Sequence, residues 1–364
     1  PEIYFESEHE IIFSIGRGMI KCDLQKGKIQ VLKITNPISL RFKSLSLTID
    51  YKISHTEIVI SNSTLNKIHI DGDLWKMINH EDSIYIFSES INKPICIHII
   101  KTNGELINMY ENKTLGYWID LECDELNKSK YCPLISLRKT KLTIANSDSK
   151  AIFFIHGGPH QKAGNLWDPL HHAFLKQNYV VYIPQYSGTV GFEKSKNFQP
   201  PLYGIEDLED LKQHYTTIKL RHERVIVVGH SYGAFLALKL FIEFIPDILV
   251  GINGVYDLHT ISELNPKTYS HLNQDEKTHR SSKLNQTNFI EKNEWHHIQF
   301  LKDPLISKEA LSKSLSRVGA RPTIHYLDFH GHGSFNEFQS KKIVDVIVSI
   351  ENQFYNKLYL RETS

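Results

Sequence analysis

The chain has 364 residues, with 42 Lys and Arg against 41 Asp and Glu and a hydrophobic share of 41%. That length accommodates one large α/β domain with a smaller partner, while the near-neutral balance and scattered basic residues exclude an electrostatic footprint for nucleic acid or an anionic membrane. The most apolar long window, 235–252, is interrupted by Lys239, Glu243, Pro246 and Asp247, which excludes a lipid-spanning helix there.

The first residues, PEIYFESEHEII, lack a basic stretch followed by an apolar core, so no signal peptide is expected within this chain. Cys22, Cys96, Cys123 and Cys132 have no CxxC spacing. They read as buried thiols, which points to a reducing, cytoplasmic compartment. From residue 3 to about 144 the text is short strands and turns, as in EIIFSIGRGMIKCDLQKGKIQVLKI, SIYIFSES and ICIHIIKTNGELINMY, with Asn103-Gly104 as a hairpin turn. The units recur at about the length of a four-stranded propeller blade, with room for about three.

After residues 146–149 (NSDS) the pattern changes to alternating strands and helices. KAIFFIHGG is a compact apolar strand of the kind buried on both faces of a parallel sheet. WDPLHHAFLKQN reads as a helix, YVVYIP as a strand, and 204–220 as a helix with Ile205, Leu208, Leu211, Tyr215 and Ile218 on one face. Next come RVIVVGHSYGAFLAL as strand, tight turn and helix, the strand ILVGING, and a polar stretch at 258–294 read as an insertion over the catalytic face. WHHIQFL resumes a strand, 307–318 is helical, PTIHYLDF is the last strand, and 336–360 closes as a helix. This order predicts a doubly wound, mostly parallel sheet with ligands at the carboxyl ends of its strands.

Ser231, Gly157-Gly158, Asp303 and His332 all fall at such ends. In GHSYG the serine lies on a strained strand-to-helix turn, the geometry of a nucleophile elbow. A serine hydroxyl needs a base to take its proton and an acid to orient that base. The chain order Ser, acid, His offers Asp303 and His332. Asp257 and Asp328 are rival acids and His330 a rival base; His332, between Gly331 and Gly333, has the backbone setting for a loop that projects an imidazole. Acyl transfer also needs oxyanion donors. The Tyr232 amide at the start of the elbow helix is one, and the HGGPH loop should supply the other. The HGH pair has no accompanying acidic or cysteine ligand set, so neither a metal nor a cofactor is expected.

FFIHGGPH, QYSGTVGF, LYGIEDLEDL, VVGHSYGAFLAL, KDPLISKEAL and FHGHGSF, in that order, resemble the peptidase domain of the prolyl oligopeptidase family, most nearly its acylaminoacyl-peptidase-like branch. The resemblance implies an α/β-hydrolase catalytic domain at 131–364 behind an all-β, propeller-like domain at 1–130. It also implies Ser231, Asp303 and His332 as the triad, Gly158 and Tyr232 as oxyanion donors, and a short peptide or a small amide or ester as substrate. An esterase or acyltransferase, or a catalytically silent peptide-binding protein, are the alternatives. Two departures stand out. Ser187 replaces the usual arginine, and Ala234 stands where a third glycine is common.

Overall fold

The computed structural model describes the chain except residues 1, 8–9, 16–17, 24–27, 33–37, 43–44, 52–54, 62–64, 72, 81–82, 102–104, 112–118, 125–131, 140–149, 159–165, 190–202, 245, 265–293, 320 and 363–364, and up to residue 57 the description is of the backbone alone. The chain divides into two units, residues 1–116 with 164–167 and 190–193, and residues 117–163, 168–189 and 194–364.

The first unit holds three four-stranded antiparallel sheets in simple chain order. They are β1 (Glu2–Ser7), β2 (Glu10–Ile15), β3 (Gly18–Asp23) and β4 (Lys28–Leu32); β5 (Ile38–Phe42), β6 (Leu45–Tyr51), β7 (His55–Ser61) and β8 (Leu65–Asp71); and β9 (Asp73–His80), β10 (Ser83–Ser90), β11 (Lys93–Lys101) and β12 (Leu106–Glu111). In β10, SIYIFSES, every second side chain is buried, as the two-residue period of a strand requires. Ile58, Ile68 and Ile70 of the second sheet join Ile84, Ile86 and Ile100 of the third in one apolar cluster. Each sheet is a four-stranded antiparallel meander. The Asn103-Gly104 turn lies outside the described residues.

The second unit is built on one eight-stranded sheet, ordered β13-β14-β16-β15-β17-β18-β19-β20. β13 (Ile119–Asp124) and β14 (Leu134–Lys139) are antiparallel to their neighbours, and β16 (Val180–Pro184), β15 (Lys150–Ile155), β17 (Arg224–His230), β18 (Ile248–Ile252), β19 (Glu294–Lys302) and β20 (Thr323–His330) run parallel. β13, which precedes the division expected at 130/131, belongs to this sheet. It pairs with β14 over its whole length, and pairing, which the local strand pattern cannot reveal, decides the sheet to which a strand belongs.

The central strands are apolar throughout because helices cover both faces. The helices are α1 (Pro169–Lys176), α2 (Glu206–Arg221), α3 (Tyr232–Phe244), α4 (Leu258–Leu264), α5 (Lys308–Val318) and α6 (Glu337–Glu362). Asp168 caps α1 by accepting from the Leu170 and His171 amides, and Pro169 at the first position needs no acceptor. α2 carries Glu206, Asp207 and Glu209 in its first turn and Lys219 and Arg221 in its last, matching the helix dipole at both ends. Leu208, Leu211, Tyr215 and Ile218 are buried as the stripe predicts, whereas Ile205 precedes the helix at its N-cap and is 38% exposed. α3 is buried on nearly every side from Tyr232 to Phe241, the composition of a helix enclosed by other elements. Burial of side chains such as Phe235, Leu236 and Leu238 contributes about 2 kcal/mol each. Of the polar stretch 258–294, α4 is helical and 265–293 lies outside the described residues. Among the described residues no helix is long and apolar enough to cross a membrane.

Candidate active site

β17 ends at His230 and α3 begins at Tyr232, leaving Ser231 alone in the turn with φ 54°. That left-handed conformation is uncommon for a non-glycine residue and lifts the hydroxyl clear of the sheet. The turn closes this tightly because Gly233 has no side chain, since a Cβ there would meet the main-chain carbonyl of Ile155 in β15. Ser231 Oγ–H donates to His332 Nε2 at 2.8 Å, and His332 Nδ1–H donates to Asp303 Oδ2 at 2.8 Å.

Asp303 follows β19, and its side chain is wholly buried while that of His332 is 15% exposed. The second carboxylate oxygen, Oδ1, accepts from the Leu305 and Ile306 amides at 2.8 and 2.9 Å, so the turn after the strand fixes the carboxylate plane. The rival residues lie in other surroundings. Asp257 caps α4 through the Thr260 amide and hydroxyl and reaches Arg317. Asp328 is exposed and paired with Lys302 at 2.8 Å. His330 is exposed at the end of β20, its carbonyl accepting from Gln339 Nε2.

Gly158 follows β15 with φ 139°, a conformation that side chains with a Cβ rarely adopt, and the residue beside it approaches the elbow. A Cβ on Gly157 would lie 3.1 Å from that of Ser231. His156 stacks on Tyr186 at 4.4 Å, and Tyr186 Oη–H donates to the His156 carbonyl at 2.8 Å. Burial pushes the His156 imidazole down to about 4, so it serves as a neutral donor to the Gly157 carbonyl at 2.8 Å. Pro159 lies outside the described residues.

The α/β hydrolase family model matches residues 152–265, from β15 past the elbow to α4. The sheet order and the solved structures agree with it. The fold is that of the α/β hydrolases. A puromycin-hydrolyzing peptidase of Mycobacterium tuberculosis superposes with a TM-score of 0.70 at 12% identity, over 97% of this chain and 61% of that one. For a puromycin hydrolase the figures are 0.66, 13%, 98% and 61%, and for the acylaminoacyl peptidase of Pyrococcus horikoshii 0.67, 13%, 92% and 59%. The chain thus spans about three fifths of the length of these structures. No curated protein sequence matches it.

Within this candidate site three side chains matter that the motifs alone did not single out. Tyr232 Oη–H donates to Asp207 at 2.5 Å, and burial pushes the Asp207 carboxyl up to about 7, so the residue whose amide begins the elbow helix is anchored at its far end by a buried acid. His230 and Asn253 both reach the backbone of His332. His230 is within the elbow motif and Asn253 directly follows β18, so each had the signal of a strand's carboxyl end. Neither belongs to a recognised catalytic type at its place in the chain. At the first departure noted above, Ser187 donates to Asp210 Oδ2 from both its amide, at 2.9 Å, and its hydroxyl, at 2.6 Å.

Proposed function

We propose that this chain is a serine hydrolase that cleaves short peptides or amides through an acyl-enzyme on Ser231. The observation that carries the reading is the unbroken relay from Ser231 Oγ through the His332 imidazole to Asp303, with 2.8 Å at each step. In this reading His332 Nε2 takes the serine proton as Oγ attacks the carbonyl carbon. The Asp303 carboxylate holds the Nδ1–H tautomer and stabilises the imidazolium. The amides of Gly158 and Tyr232 receive the oxyanion, His332 returns the proton to the leaving amine, and water, deprotonated by the same imidazole, releases the acid. No metal or cofactor enters these steps. The peptidase names of the structural neighbours favour an amide over an ester, and the buried Cys96 and Cys132 thiols fit a cytoplasmic setting.

Turnover of matched peptide anilides and esters, with Ser231→Ala as control, tests the proposal. Anilide cleavage that vanishes in the variant is the expected result. Esterase activity alone would move the reading to an esterase, and full activity in Ser231→Ala would end it.

A further inference from the structure

Two side chains donate hydrogen bonds to the main chain of His332 rather than to its ring. His230 Nε2–H donates to the His332 carbonyl at 2.7 Å, and the Asn253 side-chain amide donates to the same oxygen at 3.2 Å. Asn253 is fully buried. Its Oδ1 accepts from the Phe300 amide at 2.8 Å, three residues before Asp303, and its own amide donates to the Ile298 carbonyl at 2.9 Å. Its φ of 45° is in the left-handed region that asparagine tolerates better than most residues. One side chain therefore joins the end of β18 to the strand that presents the acid and to the loop that presents the base.

His230 is held as closely. A Cβ on Gly333 would lie 3.1 Å from His230 Cε1, and one on Gly157 would lie 3.2 Å from its Nδ1. The Phe335 ring meets it edge-on at 5.3 Å and the His332 ring lies 5.2 Å away. Although one edge keeps some exposure, this enclosure pushes the imidazole down to about 4, so it is neutral at pH 7. Its partner is a carbonyl, which can only accept, so the proton sits on Nε2. The glycines on either side of His332 give that loop little side-chain anchoring of its own, and the two bonds to its carbonyl supply the anchor.

We propose that His230 and Asn253 are positioning residues that clamp the His332 carbonyl and thereby hold the imidazole between Asp303 and Ser231. The inference rests on the Ser231 hydrolase reading. Neither residue touches the reacting atoms, so their removal should act on kcat and leave KM nearly unchanged, because a displacement of about 1 Å in a catalytic group costs about a hundredfold in rate.

The test uses His230→Phe, which keeps a ring and deletes the donor, His230→Gln, which restores a neutral donor, and Asn253→Asp, which keeps the acceptor for Phe300 but sets a carboxylate against the His332 carbonyl. Fluorophosphonate labelling rates and steady-state constants on an activated ester are compared with the wild type, with thermal midpoints as the check on folding. The expected result is a fall of about a hundredfold in labelling rate and kcat for His230→Phe and Asn253→Asp, KM within about twofold, and partial recovery in His230→Gln. Folded variants that label within about twofold of the wild type overturn the clamp alone. So does a loss shared by KM, a lack of recovery in His230→Gln, or loss of the fold in both His230→Phe and Asn253→Asp. A wild type that does not label removes both the clamp and the hydrolase reading.

Discussion

Ser231, His332 and Asp303 come together because each follows a different strand of one parallel sheet, and the carboxyl ends of those strands share an edge. As single residues they carry graded expectations. Ser231→Ala or His332→Ala should lower kcat by about five to six orders of magnitude, and Asp303→Asn by about four, since the variant amide disturbs the tautomer without removing the base. Steady-state kinetics on a peptide anilide would check the order of the losses; an Asp303→Asn enzyme as fast as the wild type would contradict it. These three residues were legible from chain order. What the sequence left open was which of two neighbours faces the serine, because His330 and His332 share one loop and Asp257 and Asp303 each follow a strand. The geometry separates them through the side chains themselves: the imidazole bonded to both Ser231 and Asp303 is that of His332, while Asp257 is bonded to Thr260 and Arg317. His230 and Asn253 were not legible, since their part depends on where a distant carbonyl comes to rest.

Among the elements, the elbow helix α3 shows how a departure from a familiar motif is accommodated. Ala234 stands where a glycine is common, and its Cβ occupies the space that a side chain on Gly254, just past β18, would need. The missing glycine has in effect moved to the facing element. Gly254→Ala should destabilise the fold by about 3 kcal/mol through overpacking, and adding Ala234→Gly should restore part of that loss. The recovery is partial because a Cβ at position 254 would still lie 3.1 Å from the Ser231 carbonyl. Chemical denaturation of the two single variants and the double variant measures the coupling; strictly additive effects would contradict the explanation. Most strands and helices of the second unit were readable from their apolar periods to within a residue or two; Ile205 is an exception because the helix begins after it, and α4 is another because the polar stretch at 258–294 was read only as an insertion. The placement of β13 was not readable, because a strand's own residues do not say with which sheet it pairs.

For the whole molecule, burial sets a characteristic pH response. His156, His230 and His297 are each pushed down to about 4, so unfolding takes up protons below the ordinary histidine value of 6.5, and their contribution to stability is full above about 6.5 and lost as the pH falls toward 4. Asp207 acts in the opposite sense. Its carboxyl, raised to about 7, makes stability decline as pH rises from its ordinary value through about 7. Three histidines outweigh one carboxyl, so the thermal midpoint should climb from about pH 4.5 to 6.5 and then decline slightly toward about pH 7.5, with that decline absent in Asp207→Asn. A wild-type midpoint that falls from pH 4.5 to 6.5 would contradict this balance. The first unit, with three four-stranded sheets, and the second, with the α/β-hydrolase sheet, together span about three fifths of the length of the peptidases they resemble in fold. The central claim nevertheless rests on a single hydroxyl and can be tested there. Intact-mass analysis after fluorophosphonate treatment, followed by peptide mapping, should show one adduct on Ser231 in the wild type and none in Ser231→Ala; an unmodified wild type, or an adduct on another residue, would contradict the account.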